Sequence, residues 1–175
     1  EGENEISRGI HQAVCYVKSV DGGFSWQKAN GTTVDLPARP EDMDVIARST
    51  ASRVEPLPRP EISNTGLVVG REGHPCILHL SHQDAPGELF LVLPETDGQD
   101  RRPVHPTLIE GWPELRVTEA RMSIGEDDTI YVVAALDPLN DAWIDGRPSR
   151  EMTMTERSDQ VMVMLSSTDQ GQNWK

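Results

Sequence analysis

The sequence predicts an all-β fold that is built from antiparallel strands. Three observations support this: the apolar runs are short, turn-forming residues are frequent, and no segment keeps a 3.6-residue apolar period over three turns. The 175 residues include 14 glycines and 13 prolines, which favour many turns over long helices. The best helix candidate is Pro40–Ser52, and three prolines between positions 56 and 60 then predict an extended connection.

The predicted strands share one composition. Each is four to seven residues long, rich in Val, Leu and Ile, and bounded by Gly, Asp, Pro or Asn. Several are apolar throughout, which predicts sheets that are covered on both faces. In chain order they are Gln12–Lys18, Gly66–Val69, Cys76–Leu80, Glu88–Leu93, Ala120–Ile124, Thr129–Ala135 and Gln160–Leu165.

The charge and composition argue against several classes of protein. The chain has 29 acidic and 16 basic side chains and a net charge of −13, whereas nucleic-acid binding requires a basic face. No run approaches the ~18 apolar residues that a membrane-spanning helix needs. The first residues, EGENEISRG, are polar and begin without Met, so we expect no signal peptide and a processed or truncated chain.

Cysteine and metal-ligand residues predict neither a metal site nor a cofactor. Cys15 and Cys76 lie in apolar runs and are predicted to be buried thiols, with a disulfide between them as the alternative. Four residues of metal-ligand type occur from His74 to His82, three histidines and one cysteine. Strand alternation sends Cys76 and His79 to opposite faces, which opposes a zinc site formed by all four. No cofactor motif is present.

An internal repeat is the most informative pattern in the chain. The segments Ser19–Trp26 and Ser167–Trp174 both read S-x-D-x-G-x-x-W, 148 residues apart, and the strands that precede them also align. A weaker copy surrounds Asp97. A second repeat relates VGREGHPCILHL, from Val69, to IGEDDTIYVVAA, from Ile124, 55 residues further on. Together the repeats predict a four-stranded antiparallel unit, the blade of a β-propeller.

The residue types of the octapeptide suit a tight turn. Asp accepts hydrogen bonds from the next backbone N–H groups, Gly supplies positive φ, and Trp folds back to bury apolar area. We therefore predict structural roles for Ser19, Asp21, Gly23, Trp26, Ser167, Asp169, Gly171 and Trp174.

This octapeptide closely resembles the Asp box, or BNR repeat, of sialidase-like β-propellers. The stretch YVKSVDGGFSWQKANGTTVDLP is similar to the BNR-repeat group that includes ulvan lyase-type polysaccharide lyases. The resemblance implies a ring of six or seven four-stranded blades, of which this chain carries about two and a half. Residues 8–30 are predicted to form the last hairpin of a blade, 31–61 a connection, 62–110 a full blade and 111–175 most of another. The remaining blades are expected to be missing from this chain, and the alternative is a short open propeller that closes by oligomerisation.

The resemblance places the Asp-box turns opposite the substrate-binding face, so the candidate site lies at the other strand ends. A long loop, 137–157, is predicted there, with an aromatic residue beside charged groups. The candidate catalytic residues are Arg8, His11, His82 and Arg121. The candidate substrate-binding residues are Asn64, His79, Trp143, Asp145, Arg147 and Arg150. The competing interpretations are a buried His79, solvated histidines in turns, and loop arginines that pair only with Asp141 and Asp145.

The resemblance also implies a function on carbohydrates. We expect a protein that degrades polysaccharide by β-elimination at a uronate, with a histidine as base and arginines on the carboxylate. The alternatives are a sialidase or other glycosidase and a non-catalytic propeller that binds glycan or protein. The expected partner is an oligo- or polysaccharide and not nucleic acid. We expect no insertion into a membrane, and the expected location is extracellular or periplasmic.

Overall fold

The computed structural model describes residues 13–49, 62–81, 87–94, 100–104, 115–138, 143–144, 147–148 and 161–175. Within these ranges the chain is all-β, which confirms the predicted fold class. The strands are β1 (Ala13–Tyr16), β2 (Trp26–Gln27), β3 (Thr33–Val34), β4 (Asp44–Arg48), β5 (Ile62–Val69), β6 (Pro75–Ser81), β7 (Glu88–Val92), β8 (Arg101–Val104), β9 (Leu115–Ile124), β10 (Ile130–Pro138), β11 (Trp143–Ile144), β12 (Arg147–Pro148) and β13 (Val161–Ser167).

The first layer consists of β1 to β4. Lys18, just after β1, exchanges two backbone hydrogen bonds with Gln27 of β2, each 2.8 Å long. β4 then pairs antiparallel with β1, from Tyr16 opposite Asp44 to Ala13 opposite Arg48. β2 therefore pairs with the chain just beyond β1 and forms a hairpin with β3, whereas β4 pairs with β1 itself. The Asp44 carboxylate accepts a hydrogen bond from the Ala29 N–H at 2.6 Å. This bond connects the start of β4 to the residues that follow β2.

The predicted helix over Pro40–Ser52 is wrong. Within the described residues 40–49, Pro40–Asp42 forms a short 3-10 helix and Asp44–Arg48 forms strand β4. The physical reason is tertiary, because Ile46 is buried against Ile77 and Val92 of the second layer. A strand presents this side chain to a neighbouring sheet, and packing of this kind overrides weak local propensity.

The second layer is one four-stranded antiparallel sheet in the order β5-β6-β7-β8. Every residue of β6, Pro75–Ser81, is buried, as expected for a central strand with both faces covered. The third layer has the order β13-β10-β9, and β11 and β12 form a separate short hairpin.

The 55-residue repeat of the sequence corresponds to one hairpin that occurs twice. Gly70 N–H donates to the His74 carbonyl at 3.0 Å, and Gly125 N–H donates to the Thr129 carbonyl at 2.8 Å. Both turns contain a residue with positive φ, and the residue in the second turn is Asp128, with a φ of 62°. Asp tolerates this left-handed conformation better than most residues, so the second turn forms with Asp128 at the position that Gly73 occupies in the first.

The core lies between the layers. One apolar cluster joins the second and third layers and contains Leu78, Leu91, Ile130, Val132 and Leu136, among others. A smaller cluster joins the first and second layers through Ile46, Ile77 and Val92. The layers approach closely, since a Cβ on Gly66 of β5 would lie 3.0 Å from the Met122 Cβ of β9.

The cysteines differ in their surroundings. Cys76 is buried in the core between the second and third layers, as predicted, whereas Cys15 is only half-buried. Both are free thiols, and burial raises the pKa of each. Raised pKa values keep the thiols protonated and poorly nucleophilic.

Candidate functional site

The first S-x-D-x-G-x-x-W turn is held by two side chains. The Ser19 hydroxyl donates to Asp21 Oδ1 at 2.7 Å and accepts a hydrogen bond from Gly23 N–H at 2.8 Å. Asp21 Oδ1 also accepts hydrogen bonds from the N–H groups of Phe24 and Ser25, at 3.1 and 3.0 Å. Gly22 and Gly23 both have positive φ, which these residues adopt without steric cost.

The second turn repeats this arrangement. The Ser167 hydroxyl donates to Asp169 at 2.7 Å and accepts from Gly171 N–H at 2.8 Å. Asn173 N–H donates to Asp169 Oδ1 at 2.9 Å. Ser166 and Lys175 then exchange two backbone hydrogen bonds of 3.0 Å, as Lys18 and Gln27 do 148 residues earlier. Equal spacing in sequence therefore corresponds to an equivalent turn and an equivalent strand closure.

The carboxylates of Asp21 and Asp169 both accept several hydrogen bonds from residues of their own turns. A hydrogen bond from the Ser25 side chain is the main cause that lowers the pKa of Asp21, and the Asn173 side chain has the same effect on Asp169. A general acid needs a pKa near the working pH, so these two carboxyl groups, whose pKa values are lowered, are unsuited to that role. This geometry agrees with the structural roles that the sequence predicts for them.

The predicted substrate face is described only in part. Arg8, His11, His82, Asp145 and Arg150 lie outside the described residues. For Trp143 and Arg147 the structure gives the backbone pairing of β11 with β12.

His79 is buried, with no exposed surface. Its ring stacks on Phe90 at 5.3 Å between centroids, and within the described ranges neither ring nitrogen has a hydrogen-bond partner. Burial, together with the positive charge of Arg101, lowers the pKa of His79 to about 4. The imidazole is therefore neutral at pH 7. By strand alternation His79 lies on the same face of the second layer as Ile77 and Val92, which is the face toward the first layer. Contact with a substrate would require this packing to open.

The strands predicted as Gly66–Val69 and Ala120–Ile124 begin earlier in the structure, at Ile62 and Leu115. Asn64 lies inside β5 and its Oδ1 accepts a hydrogen bond from Gly66 N–H at 3.1 Å, where the strand bulges. Arg121 lies inside β9 and pairs with Glu119 at 2.6 Å on the exposed face of the third layer. His79 faces the first layer, so the structure does not bring His79 and Arg121 into one site.

Metal ligation by the histidine and cysteine residues of β6 is opposed by their placement. Cys76 packs into the cluster beneath the third layer, while His79 faces the other way. Among the described residues no three His, Cys, Asp or Glu side chains are grouped to hold an ion. The same ranges contain no helix with the length and apolar character needed to cross a membrane.

A cavity at the turn edge was not predicted from the sequence. It has a volume of about 410 Å³ and lies where the two hairpin turns meet the second S-x-D-x-G-x-x-W turn. Its lining residues are Gly70, Arg71, Glu72, His74, Pro75, Cys76, Leu93, Ile124, Asp128, Ile130 and Gln170. The two repeats give a partial signal for it, because they place these turns at one edge, but the sequence does not reveal their spacing.

Comparisons with known proteins give no relative for this chain. No protein-family model, no curated protein and no solved structure matches it.

Proposed function

We propose that this chain forms blades of a BNR-type β-propeller that acts on acidic polysaccharide, by β-elimination at a uronate. The observation that carries the proposal is the pair of equivalent S-x-D-x-G-x-x-W turns, which follow strands β1 and β13 and are each closed by a pair of backbone hydrogen bonds. This is the arrangement that the resemblance to Asp-box proteins implies. The carbohydrate function follows from that resemblance.

The outward face of the third layer supports a propeller in which further sheets follow. By strand pairing, Val133, Met162 and Met164 occupy the positions of Leu78, Leu89 and Leu91 in the second layer. The three leucines are buried beneath the third layer, with exposed fractions of 0–2%, whereas Met162 and Met164 are 64% and 69% exposed. The same face carries the Arg121–Glu119 pair, but a group of exposed apolar side chains such as these is typical of an interface. In the proposed ring it is covered by the next blade.

The proposed chemistry needs a base and a cation at the substrate face. A histidine, His11 or His82, removes the C5 proton of the uronate, and Arg8 neutralises its carboxylate so that this proton becomes more acidic, whereas Arg121 would have to leave its pair with Glu119 to take this role. An acid then protonates the departing glycosidic oxygen. Asn64, Trp143, Asp145, Arg147 and Arg150 are proposed to position the sugar, whereas His79 needs a change in packing to take part.

A non-catalytic glycan-binding propeller is the second candidate. Two described residues favour it: His79 is buried, and Arg121 is already paired with Glu119. A propeller with these groups withdrawn from chemistry still offers a surface to bind sugar. Sialidase or other glycosidase activity remains an alternative outcome of the same experiment.

The test incubates the protein with uronate polysaccharides and follows the ultraviolet absorbance of the unsaturated product. We expect the absorbance to rise with the wild-type protein. The rate of this rise should fall by about 100-fold or more with His11→Ala or His82→Ala, the magnitude of a lost general base. His74→Ala is the matched control, because His74 lines the cavity at the turn edge and should leave the rate unchanged. Cleavage of sialosides without this absorbance would contradict the lyase, and binding without cleavage would support the second candidate.

A further inference from the structure

The cavity at the turn edge has walls of one chemical character. Pro75, Cys76, Leu93 and Ile130 are buried apolar side chains, and Ile124 adds a partly buried one. Its volume of about 410 Å³ lies within the roughly 300–1,000 Å³ of small-molecule sites. These walls come from two different layers, so the cavity exists only when the layers are stacked. A ligand with a compact apolar body fits this interior.

The rim of the cavity carries charge, and one carboxylate is central to it. Asp128 Oδ1 accepts a hydrogen bond from the Arg71 N–H at 2.9 Å and joins the two hairpin turns. A Cβ on Gly70 would lie 3.2 Å from the same oxygen, so this turn fits closely against the carboxylate. The second oxygen, Oδ2, has no hydrogen bond among the described residues, which leaves it able to accept one from a ligand.

The other rim charges partly balance one another. His74 and Glu72 lie 3.5 Å apart, and both are largely exposed. Asp127 does not line the cavity, and its carboxylate accepts a hydrogen bond from Thr129 N–H at 3.1 Å. Hydrogen bonds from Thr129 are the main cause that lowers the pKa of Asp127, and the positive charge of Arg71 adds a smaller effect. Besides His74, the lining holds the Arg71 guanidinium and the carboxylates of Glu72 and Asp128, and this excess of carboxylates favours a positively charged ligand group over an anionic one.

We propose that this cavity binds a small organic amine, with its apolar body between the layers and its ammonium group on the Asp128 carboxylate. The ammonium group donates a charge-assisted hydrogen bond to Oδ2, the stronger kind of hydrogen bond. The apolar part takes the place of water against Leu93 and Ile130. A primary amine with six to eight carbons, such as hexylamine or phenethylamine, has the required form.

The test measures binding of phenethylamine and hexylamine by calorimetry, with hexanol and hexanoate as matched ligands. We expect dissociation constants of about 0.1–1 mM for the amines, in keeping with ligands of about seven to nine heavy atoms. Hexanol should bind about tenfold more weakly, since it lacks the charge-assisted bond. Hexanoate should bind more weakly still.

The informative variant is Asp128→Asn. Asparagine keeps an oxygen for the Arg71 N–H and tolerates the φ of 62° at this position, so the turn should persist. It removes the negative charge, and we expect amine affinity to fall about tenfold while hexanol affinity stays constant. Asp127→Asn is the control, because it removes a neighbouring charge that does not line the cavity. Equal urea midpoints for both variants establish that folding is unchanged.

Three results would overturn the proposal. No amine binding at 10 mM would refute the site, and equal affinity for hexanoate would refute the charge assignment. An equal loss for Asp127→Asn and Asp128→Asn would show only a general effect of net charge.

Discussion

Gly171 lies where the second S-x-D-x-G-x-x-W turn contacts the neighbouring layer. Its φ is +84°, and a Cβ built there would lie 2.5 Å from Leu91 Cδ2 of the second layer and 3.3 Å from the Trp174 ring. Gly23 is the equivalent residue of the first turn, with a φ of +94° and nothing within 4 Å of its added Cβ. The pair therefore separates backbone strain from packing between layers.

The expected magnitudes follow from these distances. Both Gly171→Ala and Gly23→Ala place a side chain in the left-handed region, at about 1–2 kcal/mol each. At Gly171 the close approach to Leu91 adds about 1–3 kcal/mol, the usual cost of overpacking a core. Both variants reduce the conformational freedom of the unfolded chain equally, so that contribution cancels in the comparison. Gly171→Ala should thus destabilise by about 2–5 kcal/mol and Gly23→Ala by only about 1–2 kcal/mol.

The assay is urea unfolding of both variants beside wild type, followed by tryptophan fluorescence. Leu91→Ala supplies a second check, because removing the obstructing methyl groups should make the double variant with Gly171→Ala less destabilised than the sum of the two singles. Equal losses for Gly171→Ala and Gly23→Ala would refute the contact between the second turn and the second layer. Strict additivity with Leu91→Ala would refute it independently.

Three further predictions concern acid stability, thiol reactivity and the exposed face. The pKa of His79 is about 4 in the folded protein and about 6.5 in the unfolded chain, so stability is lost as the pH falls from 6.5 to 4. The loss from pH 7 to pH 5 should be about 2 kcal/mol. Urea titrations at these two pH values should show that His79→Leu abolishes this contribution. A thiol reagent should modify Cys15 first and Cys76 only on unfolding, and equal rates by mass spectrometry would contradict the packing. If the next blade covers Met164 in the intact protein, Met164→Lys should cost several kcal/mol, whereas a cost under about 0.5 kcal/mol would show a bare surface.

Much of the fold was predictable because the signals are local. The S-x-D-x-G-x-x-W turns bond to themselves, so Ser19 with Asp21 and Ser167 with Asp169 specify their conformation within eight residues. The hairpin repeat is equally local. Strand alternation also predicts correctly that Cys76 and His79 face opposite ways.

The features that were missed depend on contacts between layers. Strand β4 exists because Ile46 packs on the second layer, and the sequence around it carries no strong period of its own. The strand predicted over Ala120–Ile124 begins at Leu115, because the polar residues at the start of β9 resemble a loop in the sequence, yet they pair with β10. The cavity arises only from the approach of Asp128 to Arg71, which are 57 residues apart.

The proposed function requires that this protein bind acidic polysaccharide. Affinity electrophoresis tests it directly, by comparing migration of the protein in gels with and without a uronate polymer, and with a neutral glucan as control. We expect the uronate polymer to slow the protein, less so at high salt because the proposed contacts are ionic. Unchanged mobility in every gel would contradict the account.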